Sequence, residues 1–391
     1  MSATPVYLDH AATTPVRPEV VEAMLPYLGG TFGNPSSSHA FGRDARAGLE
    51  RARRDVAEAV GAEPGEVYFT SGGTEADNLA VLGRALAARA QGAPFSVAVA
   101  ATEHKAVLAA AHAVAQLGGR ERVLPVDSRG GIDQAAYADC LAERPAVVSV
   151  MWVNNETGVV QPVAGLAAAA AAAGVPFHTD MVQAFGKLET TLAGTPIALA
   201  TISGHKLGAP KGIGALVIRR GTVIAPLVTG GSQQRGLRPG TENIAGAVAL
   251  GRAAVLARAE AAAEQARLSR LRAELLAGLQ ARLPDLVVVA AGAVTAPHVL
   301  ALLVPDTEST ALLMHLDRLG LAASGGSACS SGAVEPSHVL TAMGLPPAEA
   351  RGLVRLSLGH DSTEADVAAA VAVFPEAVAR ARQLAGALDR A

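Results

Sequence analysis

Six short apolar runs, at residues 67–69, 96–100, 146–153, 175–179, 199–202 and 214–218, constrain this chain more than any other feature. Each is bounded by turn formers or by helix-forming, alanine-rich sequence, so each reads as a strand. Continuously apolar strands of this length, alternating with helices, predict an α/β fold around a buried, mostly parallel sheet. The first five runs then break into polar residues: Thr70-Ser71, Thr102-Glu103-His104, Asn154-Asn155-Glu156, Asp180 with Gln183 one turn on, and Ser203-Gly204-His205-Lys206. Parallel strands deliver their carboxyl ends to a common edge. One polar strand end is unremarkable, but five in succession predict a ligand pocket there.

Composition narrows the class. Of 391 residues, 50% are hydrophobic and 17% charged, enough apolar surface for large cores and against global disorder. A net charge of -3 offers no basic surface for nucleic acid or an anionic membrane. Two cysteines, Cys140 and Cys329, are too few for a disulfide framework. The N-terminus lacks a basic region followed by an apolar run, and the apolar stretch 163–177 is too short for a membrane span. The expected setting is cytoplasmic, without membrane or nucleic-acid contact.

Elsewhere along the chain, Thr74 and Asp77 read as a capping box for a helix running to about residue 90, with Gly72 and Gly73 letting backbone N–H groups approach an anion. The turn-rich segment 32–39 suits a helix lead-in or a binding lip equally. Residues 255–281 read as one charged, alanine-rich helix linking two domains. Beyond it, short strands (286–289, 298–304, 353–358), a helix (310–318) and a final helix from Thr363 predict a smaller α+β domain. The expected division is a large domain over 15–257 and a small one made of 1–14 and 258–391.

A strand end carrying lysine, a buried carboxylate and anion donors at a helix start fits pyridoxal phosphate. Lys206 is the candidate for a Schiff base, Asp180 for the pyridinium nitrogen, and Thr74, Ser203 and His205 for the phosphate. Taken alone, Lys206 reads as well as an exposed loop lysine. Ser203 to Lys206 is formally S-x-x-K, but neither S-D-N nor K-T-G occurs. His178 and Asp180 share a strand face, yet H-x-D specifies a metal poorly and a core histidine is the simpler reading; no metal is expected. Cys140 fits a buried helix position. Cys329, in Ser324-Gly325-Gly326-Ser327-Ala328-Cys329-Ser330-Ser331-Gly332, lies in a small-residue loop where a thiol can serve as a mobile nucleophile.

Taken together and in order, these stretches resemble the cysteine desulfurases of the NifS/IscS type, class-V aminotransferases of the aspartate-aminotransferase fold (pyridoxal-phosphate fold type I). The resemblance covers nearly the whole chain. It rests on Leu8-Asp9-His10-Ala11-Ala12-Thr13-Thr14-Pro15, Gly33-Asn34-Pro35-Ser36-Ser37, residues 69–78, Thr102-Glu103-His104, Asn154-Asn155-Glu156-Thr157-Gly158 and His178-Thr179-Asp180. It continues through Ser203-Gly204-His205-Lys206, Arg238-Pro239-Gly240-Thr241-Glu242-Asn243, Ser327-Ala328-Cys329 and Arg355-Leu356-Ser357-Leu358-Gly359.

The resemblance implies conversion of L-cysteine to L-alanine, with the sulfur passing to Cys329 as a persulfide. It implies that Lys206 holds the cofactor, His104 stacks on its ring, Asp180 pairs with the ring nitrogen and Gln183 bonds the ring oxygen. Gly73, Thr74, Ser203 and His205 are implied at the phosphate and Asn155 beside the cofactor. Arg355, with Asn155 and Asn34, is implied at the substrate carboxylate. Thr241 matches a residue reaching the neighbouring subunit's phosphate, which implies a homodimer. The chain ends without a distinctive docking tail, so the sulfur acceptor stays open between an iron–sulfur scaffold, a tRNA-thiolating enzyme and a specialised pathway. An aminotransferase would have no use for Cys329; a selenocysteine lyase would share nearly every residue; a non-catalytic scaffold would need none of Lys206, His104 and Cys329.

Overall fold

The computed structural model describes residues 5–325 and 337–388. In chain order its strands are β1 (Val6–Tyr7), β2 (Val67–Thr70), β3 (Ser96–Ala100), β4 (Arg120–Leu124), β5 (Val147–Ser149), β6 (Phe177–Asp180), β7 (Leu199–Ser203) and β8 (Gly214–Ile218). They continue with β9 (Val287–Val288), β10 (Val299–Leu303), β11 (Leu321–Ala322) and β12 (Leu353–Ser357). A seven-stranded sheet runs in the order β2-β8-β7-β6-β5-β3-β4. The ladder from β7 through β4 is parallel, while β8 runs antiparallel to both its neighbours. The mostly parallel α/β sheet expected from the apolar runs is therefore present.

Several boundaries differ from the sequence expectation. The run 146–153 is a strand only over β5, although the Trp152 N–H still donates to the Asp180 carbonyl at 2.9 Å, and Val153 forms an isolated bridge with Val160. The edge strand β4, with exposed Arg120, Glu121 and Val123, lacks the apolar signature of the inner strands and was not anticipated. Its one open side explains that polarity. Thr74 does not cap its helix: the N-cap is Gly72, and the Ser71 N–H is taken by the Glu75 carboxylate at 2.7 Å. Segment 32–39 is a helix lead-in, with His39 accepting the Gly42 N–H at the start of helix Ala40–Val60.

The linking helix is longer than expected, Ile244–Arg282. Its first half packs against helix Ala40–Val60 in the core around the large sheet, through Ala247, Leu250 and Ala254. Leu268, Leu271, Leu275 and Leu279, on its second half, belong to a separate core with Leu8, Leu302, Leu356 and Phe374. Gly251 lets the two helices approach: a Cβ there would meet the Ala52 Cα at 2.9 Å. The helix interior tolerates a glycine, at a propensity cost of about 1 kcal/mol, where close approach demands one.

The second core surrounds the antiparallel sheet β12-β10-β9. The N-terminal segment joins it: β1 pairs in parallel with β11, and Asp9 bridges to Ser357 at the end of β12. The segment then runs on to Thr14, whose N–H donates to the His205 carbonyl at 2.9 Å. One stretch of chain thus ties the second core to the carboxyl end of β7. The last helix, Glu364–Leu388, begins at a reciprocal cap: the Thr363 N–H donates to Asp366 at 2.8 Å and the Asp366 N–H to the Thr363 hydroxyl at 3.2 Å. No helix among the described residues is long and apolar enough to cross a membrane.

Candidate active site

The polar residues that follow β2, β3, β5, β6 and β7 meet around one cavity of ≈ 330 Å³ at the carboxyl edge of the sheet. Parallel strands put these ends side by side. Close approach at β8 helps: a Cβ on Gly214 would meet the Ile202 carbonyl at 2.7 Å and the Gly72 Cα at 2.8 Å. Helix start, strand end and hairpin therefore pack within backbone contact. The second core contributes Arg355 and His338 to the wall, and the N-terminal segment contributes Ala11 and Ala12.

Lys206 lies on the short turn Gly204–Lys206 directly after β7, and its ammonium donates to the Ala11 and Ala12 carbonyls. Its neighbour His205 pairs Nδ1 with the Thr13 hydroxyl at 3.1 Å. Burial, with Lys206 and Lys211 nearby, pulls the His205 pKa down to about 4, so its imidazole is neutral at physiological pH. Asp180 ends β6, buried, and accepts the Val182 N–H at 2.8 Å. Burial pushes its pKa up; His104 and Lys206 act in the opposite sense. His104 lines the cavity as N-cap of helix Lys105–Gln116, its Nδ1 accepting the Ala106 N–H at 3.2 Å.

Gly73, Thr74, Ser203 and His205 line one end of the same cavity, beside the start of helix Gly73–Asn78. Arg355, on β12 and only 2% exposed, also reaches it. Its guanidinium donates to Asp9 Oδ1 at 2.7 Å and to the Asn155 carbonyl at 2.8 Å. Asn155 therefore supports Arg355 through its backbone as well as lining the cavity. Gln183 lines it too, donating from Nε2 to the Ala11 carbonyl at 2.9 Å. Asn34 and Thr241 are exposed and outside the cavity lining, and the Asn34 side chain accepts the Ser36 N–H at 2.9 Å. Cys329 falls outside the described residues. Cys140 is buried on helix Gln134–Ala142, as expected.

Sequence reasoning passed over several residues at this site. Asp77 and Glu103 are buried carboxylates beside Asp180, and burial raises both, Glu103 to about 8. Glu103 accepts the Met151 N–H at 2.5 Å and approaches the Ser149 hydroxyl at 3.4 Å. Ser149 pairs with His178 Nδ1 at 2.8 Å, and His178 Nε2 with Thr201 at 3.1 Å. Burial holds the His178 pKa down at about 3, so it is the neutral core histidine expected of it. His338, against the Glu103 carbonyl at 3.0 Å, and Asp9 complete the unanticipated set. Thr102-Glu103-His104 carries one signal: a glutamate just past the end of an apolar strand is placed for burial, and a buried glutamate needs donors.

The class-V aminotransferase family profile matches residues 6–369. A cysteine desulfurase of Gluconacetobacter diazotrophicus is 44% identical over 381 residues, covering 97% of this chain and 94% of that protein. The chain belongs to the class-V aminotransferases, among the cysteine desulfurases. Solved structures agree with that membership. A NifS-like protein superposes with a TM-score of 0.89 at 32% identity, over 96% of this chain and 100% of the other. SspA, solved in complex with cysteine, superposes with a TM-score of 0.76 at 32% identity, over 90% and 98%. The fold expected for such a desulfurase is thereby established, and the chain is an enzyme of this family.

Proposed function

We propose that this enzyme converts L-cysteine to L-alanine on pyridoxal phosphate and passes the sulfur to Cys329. The observation that carries the reading is the convergence of Lys206, Asp180 and Arg355, with Thr74, Ser203 and His205, on one cavity. The donor set suits the cofactor. An amine, a buried carboxylate and a set of hydroxyl and imidazole groups beside a helix start line one space. Bound there, pyridoxal phosphate supplies an electron sink that stabilises charge at the substrate Cα and weakens the neighbouring C–S bond.

Each residue then has a task. Lys206 holds the cofactor and afterwards moves protons at Cα, the nearby Ala11 and Ala12 carbonyls orienting its ammonium. Asp180 pairs with the ring nitrogen, Gln183 with the ring oxygen, and His104 stacks on the ring face and assists proton transfer. Gly73, Thr74, Ser203 and neutral His205 take the phosphate, the last as a donor without adding charge. Arg355 clamps the substrate carboxylate, its fork steadied by Asp9 and Asn155. The Cys329 thiolate bonds to the substrate sulfur as the Cβ–S bond breaks. The released electron pair takes a proton at Cβ, leaving alanine and a Cys329 persulfide, with no outside oxidant.

We take residues 15–257 as the cofactor domain and 1–14 with 258–391 as the second domain. A cytoplasmic homodimer, in which Thr241 reaches the partner's phosphate, follows from the same reading. The eventual sulfur acceptor is a scaffold for iron–sulfur clusters or a thiolating enzyme. The test is a visible spectrum of the purified protein with pyridoxal phosphate, then L-cysteine with dithiothreitol, scoring alanine and sulfide. A yellow protein forming both in equal amounts supports the reading. A protein that stays colourless and inert sinks it. Cys329→Ala should retain the colour and lose sulfide release, which separates desulfuration from transamination.

A further inference from the structure

The Gln183 amide has two possible faces, and the residues around it allow only one. Its Nε2 lies 2.9 Å from the Ala11 carbonyl, which can only accept, and its Oε1 lies 3.0 Å from His298 Nε2. Flipping the amide would set its oxygen against the Ala11 carbonyl oxygen, two acceptors with no proton between them. His298 stands just before β10, 1% exposed, so its ring is fully withdrawn from solvent. The other ring nitrogen, Nδ1, is buried without a hydrogen-bond partner. A neutral imidazole carries one proton, and the Gln183 oxygen is the acceptor available for it, so the proton sits on Nε2.

The groups facing His298 keep it neutral. Burial lowers its pKa well below the usual histidine range, and Lys187, Arg355, His10 and Arg272 all push the same way. The ring therefore stays a single-proton donor across the working pH. With its oxygen held by His298 and one N–H by Ala11, the amide retains a second N–H, and Gln183 lines the cavity. The same Ala11 carbonyl receives the Lys206 ammonium, so both side chains are referred to one backbone atom.

We propose that His298, remote from the reacting atoms, is a positioning residue that locks the Gln183 amide with its N–H face toward the cofactor's ring oxygen. The inference rests on the assignment of Gln183 to that oxygen. An N–H there stabilises the ionised oxygen, whereas a flipped carbonyl would repel it. The donor is what matters at position 298, so His298→Gln, whose amide N–H can occupy the place of Nε2, should substitute where His298→Leu cannot.

The experiment compares wild-type, H298L and H298Q proteins loaded with pyridoxal phosphate, following the pH midpoint of the visible absorption. Loss of a hydrogen bond to a charged oxygen should raise the H298L midpoint by about one to two pH units, while H298Q stays near wild type. An H298L midpoint equal to wild type, or equal shifts in both variants, overturns the proposal. Nitrogen NMR of the cofactor-free wild-type chain reads the tautomer independently: a protonated Nε2 is expected, and a protonated Nδ1 overturns the inference. If the wild type takes up no cofactor, the functional reading fails, and the tautomer still decides whether His298 orients Gln183.

Discussion

Glu103 shows what one buried carboxyl does to the balance between folded and unfolded chain. Its pKa is raised from the ordinary 4.5 to about 8, chiefly by burial and then by the charge of Asp180. Between those values the folded protein holds a proton that the unfolded chain has released. Stability therefore falls as pH rises through that window, by at most about 1.4 kcal/mol per pH unit from this group. Glu103→Gln keeps an acceptor for Met151 and gives Ser149 a permanent donor. Its stability should vary less between those two pH values than wild type, measured by urea unfolding at several pH values; parallel curves would rule this out. At Lys206 the expectation is kinetic. Lys206→Ala should slow alanine formation by about 10²–10⁴-fold, and borohydride should fix the cofactor covalently to wild type but not to the variant. Lys206, Asp180 and His205 were legible because each closes an apolar run. Asp9 was not, since its partner Arg355 lies 346 positions away and no local pattern announces such a pair.

Helix starts make the contrast sharper. Thr363 and Asp366 form the reciprocal cap that their spacing predicts, on a surface where nothing competes for either side chain. Thr74 and Asp77 have the same spacing, but Asp77 is drawn into the buried network beside Asp180 and Glu75 takes over at the helix start. Local sequence specifies a cap only where tertiary structure has no other claim on the residues. Thr363→Ala should lower stability by about 1 kcal/mol, read as a lower urea midpoint with an unchanged slope. A midpoint within error of wild type would mean the last helix is held by packing alone. The edge strand β4 was missed for a related reason: periodicity finds strands by their buried faces, and β4 exposes Arg120, Glu121 and Val123.

Across the whole molecule, helix Ile244–Arg282 spans two cores, with Leu250 in the first and Leu275 in the second, both fully buried. Leu275→Ala should cost about 2–5 kcal/mol by transfer and cavity terms. Calorimetry should show the loss in the transition of the second core, and a variant melting like wild type would contradict that packing. The spacing of apolar runs in the large sheet was readable, whereas the helix's extra turns before residue 255 were not, because Gly246 and Gly251 interrupt the helical pattern there.

The N-terminal segment, finally, bears on the order in which the molecule can be assembled during synthesis. Residues 6–14 leave the ribosome early, yet β1 pairs with β11, Asp9 grips Arg355, and the Ala11 N–H finds its acceptor, the Ser357 hydroxyl, only after several hundred more residues exist. Until then the segment whose Ala11 and Ala12 carbonyls will hold the Lys206 ammonium lacks its pairing with β11 and β12. A nascent chain can thus close the seven-stranded sheet while the lysine and the arginine remain unaligned, because contacts of such long sequence separation form last. The site becomes whole only when the opening residues meet the closing ones, so an incomplete chain carries the scaffold without the grip on its substrate.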